Sequence, residues 1–236
     1  MNAGNGQLPL AIRLADTATF GNFHAGANQA GLDTLRLLAQ QGGERALFLW
    51  GADGSGKSHL LQAACHAASA SGRRAIYLPM SQAVMLDPEV TENLESCALI
   101  CVDDVHRTAG IEPWQHALFA LFNAVVEHGG SFVATARIVP GAINRLLPDL
   151  ASRLVWGPVY QVHVLEDADK IAVLKARASR RGFELPDETA QFLLNRLKRD
   201  MHTLCATLDA LDTASLVAQR RLTLPFVKSL LDRRSG

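Results

Sequence analysis

Short apolar runs and stretches of helical period alternate over the first two thirds of the chain, and the last third is helical in period throughout. The runs fall at 46–50, 75–79, 98–102, 131–135 and 159–164. Five or six residues with little polar alternation are the pattern of parallel strands covered on both faces. Between them, 83–94 reads as helical, and 114–128 carries Leu118, Phe119, Leu121, Phe122 and Val125 at helical spacing before Gly129 and Gly130 stop it. Leu32, Leu35, Leu37 and Leu38 give an earlier helix ahead of the first run. From Asp167 onward the pattern predicts a helix over 168–181 ending at Gly182, one capped by Asp187 and running to about 198, one over 201–221, and a last one capped by Thr223 with Pro225 in its first turn. The chain therefore predicts an α/β domain with a parallel five-stranded sheet, followed by a small all-helical domain. The expected divisions are a tail at 1–19, the α/β domain at 20–165 and the helical domain at 166–236.

The strand-to-helix junction after residue 50 carries the chemistry. Gly51, Ala52, Asp53, Gly54, Ser55, Gly56, Lys57 and Ser58 satisfy G-x-x-x-x-G-K-[ST], and His59 continues into a helix. Strand, glycine loop and helix together make a phosphate-binding loop: backbone N–H groups and the helix N-terminus face phosphate oxygens. Lys57 would reach the β- and γ-phosphates, and the Ser58 hydroxyl would ligate Mg²⁺. The third run ends in Asp103 and Asp104, at the strand end where open α/β sheets bind ligands. Asp103 would hold Mg²⁺ and Asp104 would orient or polarise an attacking water. Thr135 ends the fourth run beside them, where it could touch a γ-phosphate. Phe20, Asn22 and Phe23 precede the first strand, and the phenylalanines could stack near a base or fill the core.

Composition narrows the partners. A formal net charge of zero argues against a dominant electrostatic nucleic-acid binder. Cys65, Cys97, Cys101 and Cys205 show no metal spacing and read as free thiols. No leader-like start and no long apolar stretch is visible, so a cytoplasmic protein without membrane contact is expected. The first residues are rich in Gly and Asn and lead into the apolar peptide Gln7, Leu8, Pro9, Leu10, either a sheet edge or a docking peptide.

The segments GADGSGKS, ICVDDVH, FVATAR, PDLASRL and RDMHTLCATLDALD together resemble bacterial AAA+ proteins of the DnaA family over nearly the whole chain. Within that family the chain is most similar to the regulatory branch that inactivates the initiator. It stops after the helical lid without a DNA-binding domain, and GFELPDETAQFLLNRLKRDMHTL and LTLPFVKSLL are like that branch's lid. The resemblance implies that Gln7, Leu8, Pro9 and Leu10 bind the DNA polymerase sliding clamp (its β subunit), with Ala11 in place of the bulky residue that follows in that peptide. It implies an arginine finger at Arg153, projecting into ATP bound by DnaA and promoting its hydrolysis. It sets the segment from Phe20 to His24, with Asn22 and Phe23, against adenine. Contact with DNA would be indirect, through the clamp.

Two departures from the family pattern stand out. The arginine expected at the start of the long lid helix is His202, and the acidic residue expected after the fourth strand is Arg137. Both remove groups that would sense a γ-phosphate, so ADP or ATP with Mg²⁺ is expected in the pocket, ADP foremost, with weak intrinsic hydrolysis. The expected function is negative regulation of replication initiation. One rival is an autonomous ATPase of the helicase-loader type, whose own oligomer supplies Arg153. A small-metabolite kinase is another, and the helical C-terminal region offers it no basic lid. Homodimer and homo-oligomer arrangements both stay open.

Overall fold

The structure, a computed structural model, describes residues 18–218 and 222–232, so the expected clamp peptide Gln7, Leu8, Pro9, Leu10 lies outside the described residues. Five strands form: β1 Ala46–Trp50, β2 Ala75–Pro79, β3 Leu99–Asp103, β4 Ser131–Ala136 and β5 Val159–Gln161. They pair in parallel in the order β2-β3-β4-β1-β5, the parallel five-stranded sheet that the apolar runs predict. Parallel pairing puts the C-terminal ends of β1, β3 and β4 on one edge. The loop after β1 leaves that edge between β4 and β5, where the strand order switches.

The apolar runs are continuous because each face of the sheet has its own cover. Helices α1 Gln29–Gln41 and α2 Lys57–Ala70 pack on Leu47, Leu49, Leu99, Cys101 and Val133. The short α3 Met80–Ala83, α4 Glu112–Glu127 and α5 Pro148–Leu154 pack on Phe48, Ile100, Val102, Phe132 and Ala134. The strand period of two then fixes the direction of polar residues at the strand ends. Asp103 follows Leu99 and Cys101, Thr135 follows Val133, and Tyr77 follows Ala75, so all three point to the α2 face.

Three expected elements differ. The helix expected over 83–94 is replaced by α3, a turn and a 3₁₀ helix Pro88–Thr91. Pro88 disfavours helical backbone at Asp87, and the Asp87 side chain accepts from Glu89 N–H at 3.0 Å to start a new turn. The fifth strand, expected to Val164, ends at Gln161, because its only strand partner, β1, gives way to the glycine loop after Trp50. Asp187 is the first residue of its helix, after Pro186, and its carboxylate takes Lys175 at 2.7 Å.

The chain divides between His163 and Val164 into two compact units. The second contains α6 Asp167–Arg180, α7 Asp187–Arg196, α8 Met201–Ala218 and α9 Leu224–Asp232. Leu174, Leu185, Leu193, Leu194, Leu204, Leu208 and Val227 form its core. Asp200 starts α8 by accepting from Thr203 N–H at 2.7 Å and Thr203 Oγ1 at 2.9 Å. Arg177 clamps Asp209 with two hydrogen bonds at 2.9 and 2.8 Å and holds its carboxyl below the usual range. No described helix is long and apolar enough to cross a membrane.

Candidate functional site

The loop between β1 and α2 is shaped by two glycines that no other residue replaces. A Cβ on Gly51 would lie 2.2 Å from the Val162 carbonyl oxygen, so the loop can leave the strand only without a side chain there. Gly56 has φ +97°, and a Cβ on it would meet the Phe23 ring at 2.8 Å. Phe23 thus lies on the loop, with its ring centroid 5.7 Å from that of His59. His59 Nε2 bonds the Thr19 carbonyl at 2.9 Å, tying the segment of Phe20, Asn22 and Phe23 to the start of α2. Phe20 itself takes the core alternative, buried against Leu32 and Leu35, with the Arg36 guanidinium 5.5 Å from its ring centre.

Lys57 is buried and curls back on its own loop. Its ammonium donates to the Gly51 carbonyl at 2.7 Å, the Ala52 carbonyl at 2.9 Å and Ser55 Oγ at 3.5 Å. Burial pushes its pKa down, against the pull of Asp104, Asp103 and Asp53. Ala52, Asp53 and Gly54 form the exposed rim of the loop. The Arg137 guanidinium, following β4, pairs with Asp53 at 2.8 Å.

Asp103 is the centre of the polar network on the α2 face. Thr135 Oγ1 donates to Asp103 Oδ1, and the Tyr77 hydroxyl donates to Oδ2 at 2.8 Å. The Asp104 N–H in turn donates to Thr135 Oγ1 at 2.9 Å, so Thr135 is committed to the two aspartates. Tyr77 also accepts from Gln62 Nε2 at 3.4 Å. Burial and the neighbouring Asp103 push the Tyr77 phenol up. Asp104 has φ +59°, a left-handed conformation that Asp tolerates. That turn ends β3 and aims the carboxylate at Arg107, 3.2 Å away, and His106, 3.8 Å away. Burial lowers the His106 pKa, with Asp104 opposing it.

The donor set on this face is chemically suited to Mg²⁺. Ser58 and Asp103 are hard oxygen donors from two elements, the start of α2 and the end of β3. Among the described residues there is no cluster of three or more His, Cys, Asp or Glu.

Arg153 stands on the other face of the sheet, in the last turn of α5. Pro148 starts that helix and Leu150 and Leu154 anchor it. Its guanidinium carbon is 5.8 Å from the Phe119 ring centre, and Arg153 Nε is buried without a hydrogen-bond partner among the described residues. Gln115, buried on α4, positions the entry to α5 by donating to the Thr108 and Arg145 carbonyls at 2.9 and 3.0 Å and accepting from Leu147 N–H. The His202 side chain lies outside the described residues.

The structure therefore gathers the glycine loop, Lys57, Ser58, Asp103 and the segment from Phe20 to Phe23 at one end of the α2 face. Two residues went unnoticed in the sequence. Tyr77 sits in a strand that is apolar on both sides of it, and only its register opposite Cys101, two residues before Asp103, turns the hydroxyl to the carboxylate. Gln115 looks like an ordinary polar residue of an amphipathic helix.

Comparison with known proteins gives two family matches that together span most of the chain. The model of the bacterial DnaA ATPase domain matches residues 14–161, and that of the lid domain of Hda matches residues 167–231. A protein of Haemophilus influenzae is 46% identical over 97% of this chain and 99% of its own length. Domain III of the Thermotoga maritima replication initiation protein DnaA superposes with a TM-score of 0.79 at 20% identity, over 94% of this chain and 98% of that one. AMPPCP-bound DnaA from Aquifex aeolicus gives 0.69 at 24% identity, over 80% of this chain, which spans 64% of the Aquifex chain.

Proposed function

Because the chain belongs to the bacterial DnaA ATPase-domain family and carries the Hda type of lid, we propose that it is a nucleotide-bound regulator that lends Arg153 to ATP held by DnaA. ADP or ATP with Mg²⁺ occupies its own loop, with Lys57 on the phosphates and Ser58 and Asp103 toward the ion. Asp104 is the residue of its own site that would orient water. Engagement of its carboxylate with Arg107 and His106 fits weak intrinsic hydrolysis. Tethering through Gln7, Leu8, Pro9 and Leu10 to the sliding clamp would restrict the reaction to clamp loaded on DNA, preventing a second initiation.

The observation that carries this reading is the state of Arg153. A guanidinium with a buried Nε, stored over an aromatic ring, has hydrogen-bonding capacity that the described residues do not use. Swung off the ring, the guanidinium would meet charge spreading over γ-phosphoryl oxygens supplied by another molecule. Lys57, in contrast, is fully engaged at home. The exposed Trp156, one turn on and ringed against Phe122, places apolar surface beside the arginine.

The test is single-turnover hydrolysis of DnaA-bound ATP with ADP-loaded protein, clamp and DNA. Stimulation by the wild type and none by Arg153→Ala is the expected result. Equal stimulation by both removes Arg153 from the role. Absence of stimulation by either, with the clamp shown to be loaded, favours the autonomous ATPase, whose turnover would rise steeply with its own concentration.

A further inference from the structure

Tyr77 has no part in the function proposed above, yet its hydroxyl lies at the junction of the two side chains expected to meet a divalent ion. It donates to Asp103 Oδ2 at 2.8 Å, with Gln62 Nε2 behind it at 3.4 Å and Ser58 alongside. Oδ1 of the same carboxylate is taken by Thr135. The carboxylate is buried, with Asp103 only 5% exposed, and each of its oxygens accepts a hydrogen bond from a protein hydroxyl. A cation approaching Asp103 from the side of Ser58 has to compete with the phenol for Oδ2.

Resting on the proposed nucleotide site, we infer that Tyr77 is a specificity-determining residue: its hydroxyl holds Asp103 Oδ2, beside Ser58, in place of a divalent ion, so that the loop holds a nucleoside diphosphate with little dependence on Mg²⁺. A diphosphate needs the loop N–H groups and Lys57, neither of which touches Tyr77. A triphosphate depends more on the ion, which bridges its β- and γ-oxygens. The phenol–carboxylate bond therefore biases the site toward the diphosphate by weakening the ion's hold on the protein. The phenol's place in the β2–β3 register keeps it there: Tyr77 lies opposite Cys101, and its ring packs with the α2-face core.

The test uses the full chain and measures ADP affinity by calorimetry in EDTA and in millimolar Mg²⁺, for wild type and Tyr77→Phe. Wild-type affinity is expected to differ little between the two conditions. In Tyr77→Phe, Mg²⁺ should strengthen ADP binding about tenfold, the scale of one charge-assisted hydrogen bond no longer competing. Equal Mg²⁺ dependence in both proteins, or a smaller one in the variant, overturns the inference. A merely structural tyrosine would lower the unfolding temperature without changing that dependence. Failure of the wild type to bind ADP in either condition rejects the nucleotide site itself, and the inference with it. The wild type supplies a second measurement that does not depend on the variant folding. The chain has two tyrosines, and Tyr160 hydrogen-bonds Thr34 at 3.1 Å, away from the ion's side chains. With ¹³Cζ-labelled tyrosine, Mg²⁺ added to the ADP complex at saturating concentration should move the Tyr77 resonance and leave Tyr160 in place. An unmoved Tyr77 resonance would mean that the phenol does not compete with the ion.

Discussion

The two faces of the sheet treat their cations in opposite ways. On the α2 face, Lys57 is buried and hands its protons to Gly51, Ala52 and Ser55 of its own loop. On the α4 face, Arg153 is packed over Phe119 with its Nε unpartnered. A buried donor without an acceptor costs about 1–3 kcal/mol, so such a group is kept at the expense of stability. The contrast separates a cation satisfied within its own loop from one that the described residues leave partly unsatisfied. Rates and stabilities should diverge accordingly when each cation is removed.

The largest divergence is expected at Arg153. Arg153→Ala should lower stimulated hydrolysis on the partner by about 10³ to 10⁵, the range of known arginine fingers. Its unfolding temperature should hold or rise, since the variant removes an unsatisfied donor. A large drop in stability together with the lost activity would recast Arg153 as a packing residue. Lys57→Ala should do the reverse. It leaves the Gly51 and Ala52 carbonyls without their donor and removes the phosphate's main cation. Stabilisation by ADP should fall by about 3–4 kcal/mol, the stabilisation a ligand confers at roughly 100 to 1,000 times its dissociation constant, read as a lost thermal shift. Retention of the wild-type shift would remove Lys57 from the phosphate site.

The sequence told the two faces apart unequally, for physical reasons. The glycine loop, Lys57, Ser58 and Asp103 are contiguous with strong apolar strands, so local pattern and chemistry point to one place. Arg153 became notable only through resemblance, because an arginine ending a seven-residue helix has no local signature. Tyr77 was hidden for a third reason. Its partner lies 26 residues away on a neighbouring strand, and only parallel register brings them together. The misjudged helix over 83–94 shows the limit of periodicity, since Pro88 overrides an apolar pattern that extends on both sides of it. The lid was legible as helices, but Asp200 as the cap of α8 was not, since its role depends on where the preceding loop ends.

A smaller effect tests whether the α2 face is rigid around the loop. Gly56→Ala forces a φ of +97° on a residue with a side chain and drives its Cβ into Phe23. A loss of about 1–3 kcal/mol is expected in chemical denaturation, the usual cost of such backbone strain. The double variant with Phe23→Ala should recover the part due to the ring contact and not the part due to φ. Full recovery would mean that crowding alone fixes the glycine. No recovery would mean that Phe23 is free to move aside.

Arg137 should have the smallest effect on stability and so sharpens the contrast most. It is the third cation of this region, and its only described anionic partner is Asp53, at 2.8 Å, with side chains 50% and 67% exposed. An ion pair so open to solvent contributes about 0–1 kcal/mol and weakens with salt. Arg137→Ala should therefore change the unfolding free energy by less than about 1 kcal/mol, with the difference fading in high salt. If the pair instead holds the phosphate loop shut, the variant would bind and release ADP faster at unchanged stability, which stopped-flow exchange of a fluorescent diphosphate would reveal. Unchanged exchange would leave Arg137 as a surface charge, and the complete site on the α2 face would then rest on the buried groups alone.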